Sequence, residues 1–317
     1  MKFLLPMLLF LAGAAQAQDW PVKPIRMVVP YAAGGLPDTM TRIIGIRLGE
    51  ALGQQIVIEN RGGAGGIAGT DQVAKSAPDG YTLLVADVGQ LAINPHLYAK
   101  LPYDPLKDFA PVSLIGTTSL YLVAHPAVPA DTFADLVALV KSRPGQLNYG
   151  SSGTGSIHHL ATEALKAALG LDVVHVPYKG MGQAVPALLG GQVSILFSAL
   201  PAIEPHVRAG KVKLLAISTP RRAAQAPAVP TVAELGVPGY DFAPQIGALA
   251  PVGTPAALVA RLSTEIARAV RSAEVSQRFQ QLGIDPVGST PEAYAELIRA
   301  AYERFGPVVK ASGARAE

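Results

Sequence analysis

The chain has 317 residues, of which half are hydrophobic and 15% are charged, as expected for a globular protein large enough for two domains. It contains no cysteine, which excludes disulfides, thiolate metal sites and cysteine nucleophiles. The formal net charge is only +3 and no block of Lys and Arg stands out, so we do not expect nucleic acid as a partner.

The first 17 residues have the pattern of an export signal. Lys2 supplies a positive charge, residues 3–14 are apolar, and Ala15-Gln16-Ala17 matches a cleavage site. The apolar run is too short to span a bilayer, and no cysteine follows the cleavage site as a lipoprotein would require. We therefore predict a signal peptide over residues 1–17 and an exported, periplasmic protein that begins near Gln18.

A glycine-containing loop follows the first predicted strand. Residues 25–29 predict a buried strand, and apolar residues from 40 to 52 recur at helical spacing. Between them lies Pro30-Tyr31-Ala32-Ala33-Gly34-Gly35-Leu36-Pro37-Asp38, in which Asp38 is expected to be the helix N-cap. Such a loop can present backbone N–H groups to an anion at the positive end of a helix dipole, although a tight turn without ligand is the commoner arrangement.

The next predicted strands are residues 55–60 and 81–86. Gly63, Gly65 and Ala68 loosely match a dinucleotide fingerprint after the first of these, but no ribose-binding acid follows, so we favour a turn with close helix–sheet packing and expect no cofactor. The second strand ends at Asp87-Val88-Gly89-Gln90. With further strands at 112–115 and 120–124, the order predicts an open parallel sheet covered by helices.

A second α/β unit begins near residue 132 and repeats the strand–loop–helix arrangement. A strand at 147–150 leads into Ser151-Ser152-Gly153-Thr154-Gly155-Ser156, and a helix is predicted over 157–169. Strands at 173–176 and 193–197 end near Tyr178 and Ser198. The second glycine loop favours ligand binding by both loops over two empty turns.

The chain closes with a predicted strand at 246–250 and amphipathic helices at 256–271 and 291–310, which are expected to return to the first unit. The pattern predicts an α/β protein with two lobes, each a mainly parallel sheet flanked by helices, and a cleft between them. Lobe 1 is expected to comprise residues 18–122 and 243–317, and lobe 2 residues 123–242.

Enzyme motifs are incomplete. Gly150-Ser151-Ser152-Gly153-Thr154 begins as a nucleophile elbow but lacks the final glycine, and no Walker loop is present. A serine hydrolase that uses Ser151 or Ser152 with His159 is the alternative function, although no acid is evident to orient the histidine. We expect no metal site and no enzymatic activity.

Several motifs, in order, resemble the Bug family, the TctC-like solute-binding proteins of tripartite tricarboxylate transporters. Besides the two glycine loops they are Glu59-Asn60-Arg61-Gly62-Gly63-Ala64-Gly65-Gly66, Pro78-Asp79-Gly80-Tyr81-Thr82-Leu83-Leu84, His159-Leu160, Val176-Pro177-Tyr178-Lys179-Gly180, Gly190-Gly191-Gln192-Val193 and Ala250-Pro251-Val252-Gly253-Thr254-Pro255. The resemblance covers the whole chain after the signal peptide. It implies a type II-like periplasmic binding protein, a monomer that binds a small organic carboxylate between its lobes and serves membrane permease subunits.

The resemblance also implies which residues contact the ligand. They are Tyr31, Ala32, Ala33, Gly34, Gly35, Asp38, Asp87, Val88, Gly89, Gln90, Ser151, Ser152, Gly153, Thr154, Gly155, Ser156, Tyr178, Ser198 and Gln245. Family members that bind amino acids tend to have an acid at the position of Ser198, so the resemblance implies a carboxylate without a primary ammonium group, unless Asp87 takes the place of that acid. A receptor for sensing rather than uptake is a further alternative.

Overall fold

The computed structural model describes residues 20–316, and the predicted signal peptide lies outside this range. The first part of the chain alternates strands and helices, with one helical turn at Ala64–Gly66 and a π-helical turn at Gly89–Ile93. Its elements are β1 (Ile25–Val29), α1 (Leu36–Leu52), β2 (Ile56–Asn60), α2 (Ile67–Ala74), β3 (Thr82–Ala86), α3 (Asn94–Leu97) and β4 (Phe109–Thr118).

The middle of the chain forms a second α/β unit. Its elements are β5 (Leu120–Ala124), α4 (Phe133–Ser142), β6 (Asn148–Ser151), α5 (Ile157–Leu169), β7 (Val174–Pro177), α6 (Met181–Leu189), β8 (Ile195–Ala199), α7 (Leu200–Arg208) and β9 (Lys213–Ile217). The remaining elements are β10 (Gln245–Pro251), α8 (Ala256–Arg271), α9 (Ala273–Gln281), β11 (Ile284–Pro286) and α10 (Pro291–Ser312).

These strands form two separate sheets, which confirms the predicted two-unit α/β architecture. The strand order is β11-β4-β10-β3-β1-β2 in the first sheet and β7-β6-β8-β5-β9 in the second. Both sheets are mixed, so the prediction of mainly parallel sheets is wrong: among the described residues, four strand pairs are parallel and five are antiparallel. The antiparallel pairs involve β4, β5 and β10, which lie where the chain passes between the sheets, and their pairing is too distant in sequence for a local pattern to predict.

The boundary between the sheets lies at Ser119, not after residue 122 as expected. β4 ends at Thr118 in the first sheet, and β5 pairs along its whole length, from Leu120 to Ala124, with β8 in the second. A single residue therefore connects the two sheets on this side. The chain returns to the first sheet through an irregular segment that ends at Gln245, the first residue of β10.

The closing helices do not all pack on the first unit. Ile266 of α8 lies in the core of the first sheet with Met27 and Ile44. By contrast, Phe305 and Val309 of α10 lie in the cluster that forms the core of the second sheet. Ala92 and Leu97 of the first unit belong to the same cluster, together with Val88 and Ile93. α10 therefore packs against both units.

Candidate ligand-binding cleft

The first glycine loop connects β1 to α1, and Asp38 has a different role from the one predicted. The N-cap position belongs to Gly35, and Asp38 lies in the first turn of α1. Its buried carboxylate accepts hydrogen bonds from Gly34 N–H at 2.8 Å, Arg42 Nε at 3.0 Å and Asn60 Nδ2 at 3.0 Å. Burial raises the pKa of Asp38, but these hydrogen bonds outweigh burial and lower it overall. Asp38 therefore stays charged and holds the loop in shape from within.

The end of β3 carries a carboxylate that is held on one oxygen. Asp87 Oδ1 accepts hydrogen bonds from Tyr31 Oη at 2.7 Å and from Gly89 N–H at 2.6 Å. A Cβ on Gly89 would come within 2.8 Å of Asp87 Oδ1, so glycine is needed for this close approach. Burial raises the pKa of Asp87, although its two hydrogen bonds act in the opposite direction. Burial, and then the nearby Asp87 carboxylate, raises the pKa of Tyr31.

The second glycine loop connects β6 to α5 and presents the start of that helix. Ser156 is the N-cap, and its Oγ accepts a hydrogen bond from His159 N–H at 3.3 Å. The Gly155 N–H donates to His159 Nδ1 at 3.0 Å, which fixes the turn immediately before the helix. Gly155 has a φ of +77°, a conformation that favours glycine.

Two histidines bind the serines of this loop, and neither is the one expected. Ser151 Oγ lies 2.7 Å from His175 Nε2, and Ser152 Oγ lies 2.9 Å from His158 Nδ1. Burial lowers the pKa of both His158 and His175 to about 4, so both rings are neutral at pH 7. The pairing of Ser151 or Ser152 with His159 is therefore wrong, because His159 Nδ1 is used by the Gly155 backbone.

A cavity of about 280 Å³ lies between the end of β3 and the second glycine loop, and both units line it. Eight of the predicted contact residues line it: Tyr31, Asp87, Gly89, Gln90, Ser152, Thr154, Gly155 and Ser156. Six others were missed by the sequence reasoning: Gly65, Asn94, Leu97, Tyr98, Ile157 and His158. The adjacent pair His158-His159 and the segment Ile93-Asn94-Pro95 were visible in the sequence, but nothing local indicated which side chains face the cavity.

The other predicted contact residues lie elsewhere. Tyr31 is the only member of the first glycine loop that lines the cavity. The cavity is therefore not lined by Ala32, Ala33, Gly34 or Gly35, nor by Gly153 and Tyr178 of the second unit. Val88 and Gln245 line a separate void of about 10 Å³ against α10. Ser151 and Ser198 are fully buried within their strands.

The glycines after β2 serve packing, which confirms the structural interpretation of the weak dinucleotide match. A Cβ on Gly66 would lie 2.7 Å from both Pro30 O and Gln90 Nε2, so no side chain fits there. Gln90 Nε2 and Asn94 Nδ2 both donate to Gly65 O, at 3.0 and 2.9 Å. These bonds fix Gly65 at the floor of the cavity.

The walls of the cavity differ in electrostatic character. On one side the N-terminus of α5 and the hydroxyls of Ser152, Thr154 and Ser156 can donate hydrogen bonds to an anion. On the other side lies the Asp87 carboxylate. No Lys or Arg lines the cavity. Within residues 20–316, no cluster of three or more His, Asp or Glu has a metal-binding arrangement, and no helix is long and apolar enough to cross a membrane.

Two sheet-centred units with a polar cavity between them define a bilobed solute-binding protein, and comparison with known proteins gives its family. The family model described as tripartite tricarboxylate transporter family receptor, TctC, matches residues 40–314. The chain belongs to this family, which confirms the resemblance drawn from its motifs.

Relatives match along nearly the whole chain. Protein BugT of Bordetella pertussis is 39% identical over 306 residues, covering 96% of this chain and 94% of BugT. The structure of R. palustris Rpa4515 with adipate is 36% identical with a TM-score of 0.85, covering 93% of this chain and 99% of that one. MatC from Rhodopseudomonas palustris with bound malate is 36% identical with a TM-score of 0.80, covering 92% and 100%.

Proposed function

We propose that the protein is a periplasmic receptor that captures a small organic carboxylate in the cleft and delivers it to the membrane subunits of a tripartite tricarboxylate-type transporter. The observation that carries the proposal is the cavity lined by both units, with the start of α5 and three hydroxyl side chains on one wall. The adipate and malate named for two related structures are both carboxylates, which supports the same ligand class.

The donors on the α5 wall are sufficient to hold a carboxylate without a cationic side chain. A hydrogen bond to a charged group contributes about 1.5–3 kcal/mol. Two or three such bonds, together with the helix dipole, give roughly micromolar affinity after the costs of ordering the ligand are subtracted. Binding the carboxylate without Lys or Arg also eases its release, since no ion pair between that carboxylate and a cationic side chain must be broken.

The accompanying features follow from the same proposal. The export signal of residues 1–17 directs the protein to the periplasm, where it acts as a monomer. Each sheet is the centre of one lobe, and the lobes are joined at Ser119 and through the segment between β9 and β10. Sensing without uptake is the alternative biological role of the same receptor.

A hydrolase is the second candidate, because Ser152 Oγ lies 2.9 Å from His158 Nδ1 in the cavity. Nucleophilic catalysis by such a pair requires a group that orients the histidine. Among residues 20–316, no side chain hydrogen-bonds Nε2 of His158. We therefore propose that this pair shapes the wall of the cleft, and we expect no turnover in a panel of ester and amide substrates.

Native mass spectrometry of the freshly purified protein tests the receptor function. We expect an adduct that is lost on unfolding and whose released small molecule contains a carboxyl group. The Thr154→Val variant is measured beside the wild type. It removes a hydroxyl from the α5 wall at nearly constant side-chain shape and should retain less adduct. Release of a molecule without a carboxyl group, or hydrolysis of an ester that depends on Ser152, contradicts the proposal.

A further inference from the structure

The carboxylate of Asp87 has one oxygen that the protein does not use. Both hydrogen bonds that it accepts, from Tyr31 and Gly89, go to Oδ1. No donor from the described part of the chain reaches Oδ2. This oxygen is nevertheless not fully buried. Because Asp87 lines the cavity, Oδ2 is open to whatever occupies it.

The charge of Asp87 also has no counter-charge within the described residues. It forms no ion pair with Lys, Arg or His in that part of the chain, unlike Asp38, whose carboxylate is paired with Arg42 at 2.9 Å. His158 is the only basic side chain that lines the cavity, and burial keeps its ring neutral. Carboxylates removed from water are either paired or protonated, and a positively charged group on the ligand would pair with Asp87 and keep it charged.

The two walls therefore favour different chemical groups on the ligand. The N-terminus of α5 and the hydroxyls of Ser152, Thr154 and Ser156 favour an anionic end. The opposite wall offers an acceptor, Asp87 Oδ2, whose neighbour Oδ1 already accepts the hydrogen bond donated by the Tyr31 hydroxyl. A dicarboxylate would bring a second negative charge toward Asp87, whereas a zwitterion would match both walls.

We propose that the ligand is a zwitterionic amino carboxylate, whose carboxylate binds at the start of α5 and whose ammonium group donates to Asp87 Oδ2. This inference rests on the proposed receptor function and narrows its ligand class. It reverses the expectation drawn from Ser198, which is fully buried in β8 and does not line the cavity. Asp87 pairs with the ammonium group, the role that the resemblance gives to an acid at position 198.

Calorimetry with ligand-free protein and probes of equal chain length tests the ammonium contact. γ-Aminobutyrate, α-aminobutyrate, succinate and butyrate share one carbon chain and differ in the added polar group. We expect one of the two amino acids to bind at least about tenfold more tightly than both butyrate and succinate, a difference equivalent to about 1.4 kcal/mol. Asp87→Asn should abolish this preference while weakening butyrate little.

Two further variants keep the result interpretable. Asp87→Ser retains a neutral oxygen for Tyr31 and Gly89 and should lose the preference in the same way, which covers the case in which Asp87→Asn does not fold. Asp285→Asn removes a carboxylate whose pKa burial also raises but which lies outside the cavity, and it should leave the preference unchanged. Tightest binding of succinate by the wild type, or a preference that survives both Asp87 variants, overturns the inference.

The molecule that the purified protein retains provides the second readout. After release by unfolding, it should react with an amine-specific reagent as well as contain a carboxyl group. A retained carboxylate without nitrogen overturns the inferred ammonium contact but is consistent with the proposed carboxylate receptor. A retained molecule without a carboxyl group overturns both.

Discussion

Gly34 and Gly155 look equivalent in the sequence but differ in their surroundings. Both have positive φ angles, +82° and +77°. A Cβ on Gly34 would meet nothing within 4 Å, whereas a Cβ on Gly155 would lie 2.2 Å from Leu97 Cδ2. Since Leu97 ends α3 in the first unit and Gly155 precedes α5 in the second, Gly155 permits close approach of the two walls of the cleft.

We expect Gly155→Ala to weaken binding of the retained ligand by about tenfold or more, because the methyl group must displace Leu97 or hold the walls apart. Gly34→Ala is the matched control. It should cost about 1–2 kcal/mol of stability from its backbone conformation but leave affinity nearly unchanged. Calorimetry and thermal unfolding measure the two effects.

The double variant Gly155→Ala, Leu97→Ala identifies the cause. It should recover part of the lost affinity, since the smaller side chain makes room for the added methyl group. If Gly34→Ala loses as much affinity as Gly155→Ala, the first loop contacts the ligand after all and the cavity described here is incomplete.

At the scale of secondary structure, β6, β7 and α5 are joined by a stack of rings. His175 of β7 lies between Tyr149 of β6 and His159 of α5, with ring centroids 4.8 and 4.1 Å apart. The pKa of His175 is lowered to about 4, mainly by burial and to a lesser extent by the neighbouring His159. Burial also lowers the pKa of His159. The stack therefore requires neutral rings, and it anchors the second glycine loop through the bonds to Ser151 and Gly155.

The protein should lose stability as the pH falls from about 6.5 toward 4. In this range the unfolded chain binds protons at His175 that the folded chain does not, so stability is complete above the unfolded pKa and is lost as the pH falls toward the folded one. His175→Gln, whose amide can still bond to Ser151 but does not titrate there, should reduce the drop in unfolding temperature between pH 7 and pH 4.5.

His206→Gln on α7 is the control, because this residue lies outside the stack and the cavity. It should keep the wild-type dependence of unfolding temperature on pH. An unchanged dependence in the His175→Gln variant would show that groups outside the histidine stack, such as His158 or carboxylates, cause the loss of stability in acid.

At the scale of the whole molecule, α10 is the element that contacts both units. Phe305 is fully buried and meets Phe242 edge-on, with ring centroids 5.5 Å apart. Arg304 pairs with Asp241 at 2.5 Å, beside the segment that returns to the first sheet. The end of the chain is also tied to the first unit, where Tyr98 and Ala316 form a bridge. Any movement of one lobe against the other must therefore displace or carry α10.

We expect Phe305→Ala to lower the free energy of unfolding by about 3–5 kcal/mol, because it empties a site in the core that α10 shares with the second sheet. Leu297→Ala on the exposed face of the same helix should cost less than about 1 kcal/mol. Denaturant unfolding compares the two variants. Equal costs would mean that α10 is not part of that core.

Ligand binding should reduce the radius of gyration measured by small-angle scattering. A ligand held by Asp87 on one wall and by the start of α5 on the other binds the closed arrangement more tightly, and this difference in affinity shifts the population toward closure. The scattering of Gly155→Ala, with its walls held apart, should change less. A wild-type profile that is the same with and without saturating ligand contradicts closure.

Local sequence patterns determined most of the elements and both glycine loops. The helix predicted over 157–169 matches α5 without error, because Ser156 caps its start and Gly170 ends it in a left-handed conformation. α9 and β11 were missed, and Asp38 was placed at an N-cap that Gly35 occupies. The error has a local cause, since the first-turn position and the N-cap both favour Asp and differ only in register.

The composition of the cleft was decided by tertiary structure. The sequence identified Asp87, Tyr31 and the second loop as candidates, and they do meet in one cavity, but it also named Ser198 and Gln245, which do not line it. The partners of Ser151 and Ser152, and the packing of α10 across both units, depend on contacts between residues far apart in the chain. Periodicity and capping are local and leave a record in the sequence, whereas the direction of a side chain at a strand end depends on which strands pair, and pairing between distant segments leaves no such local record.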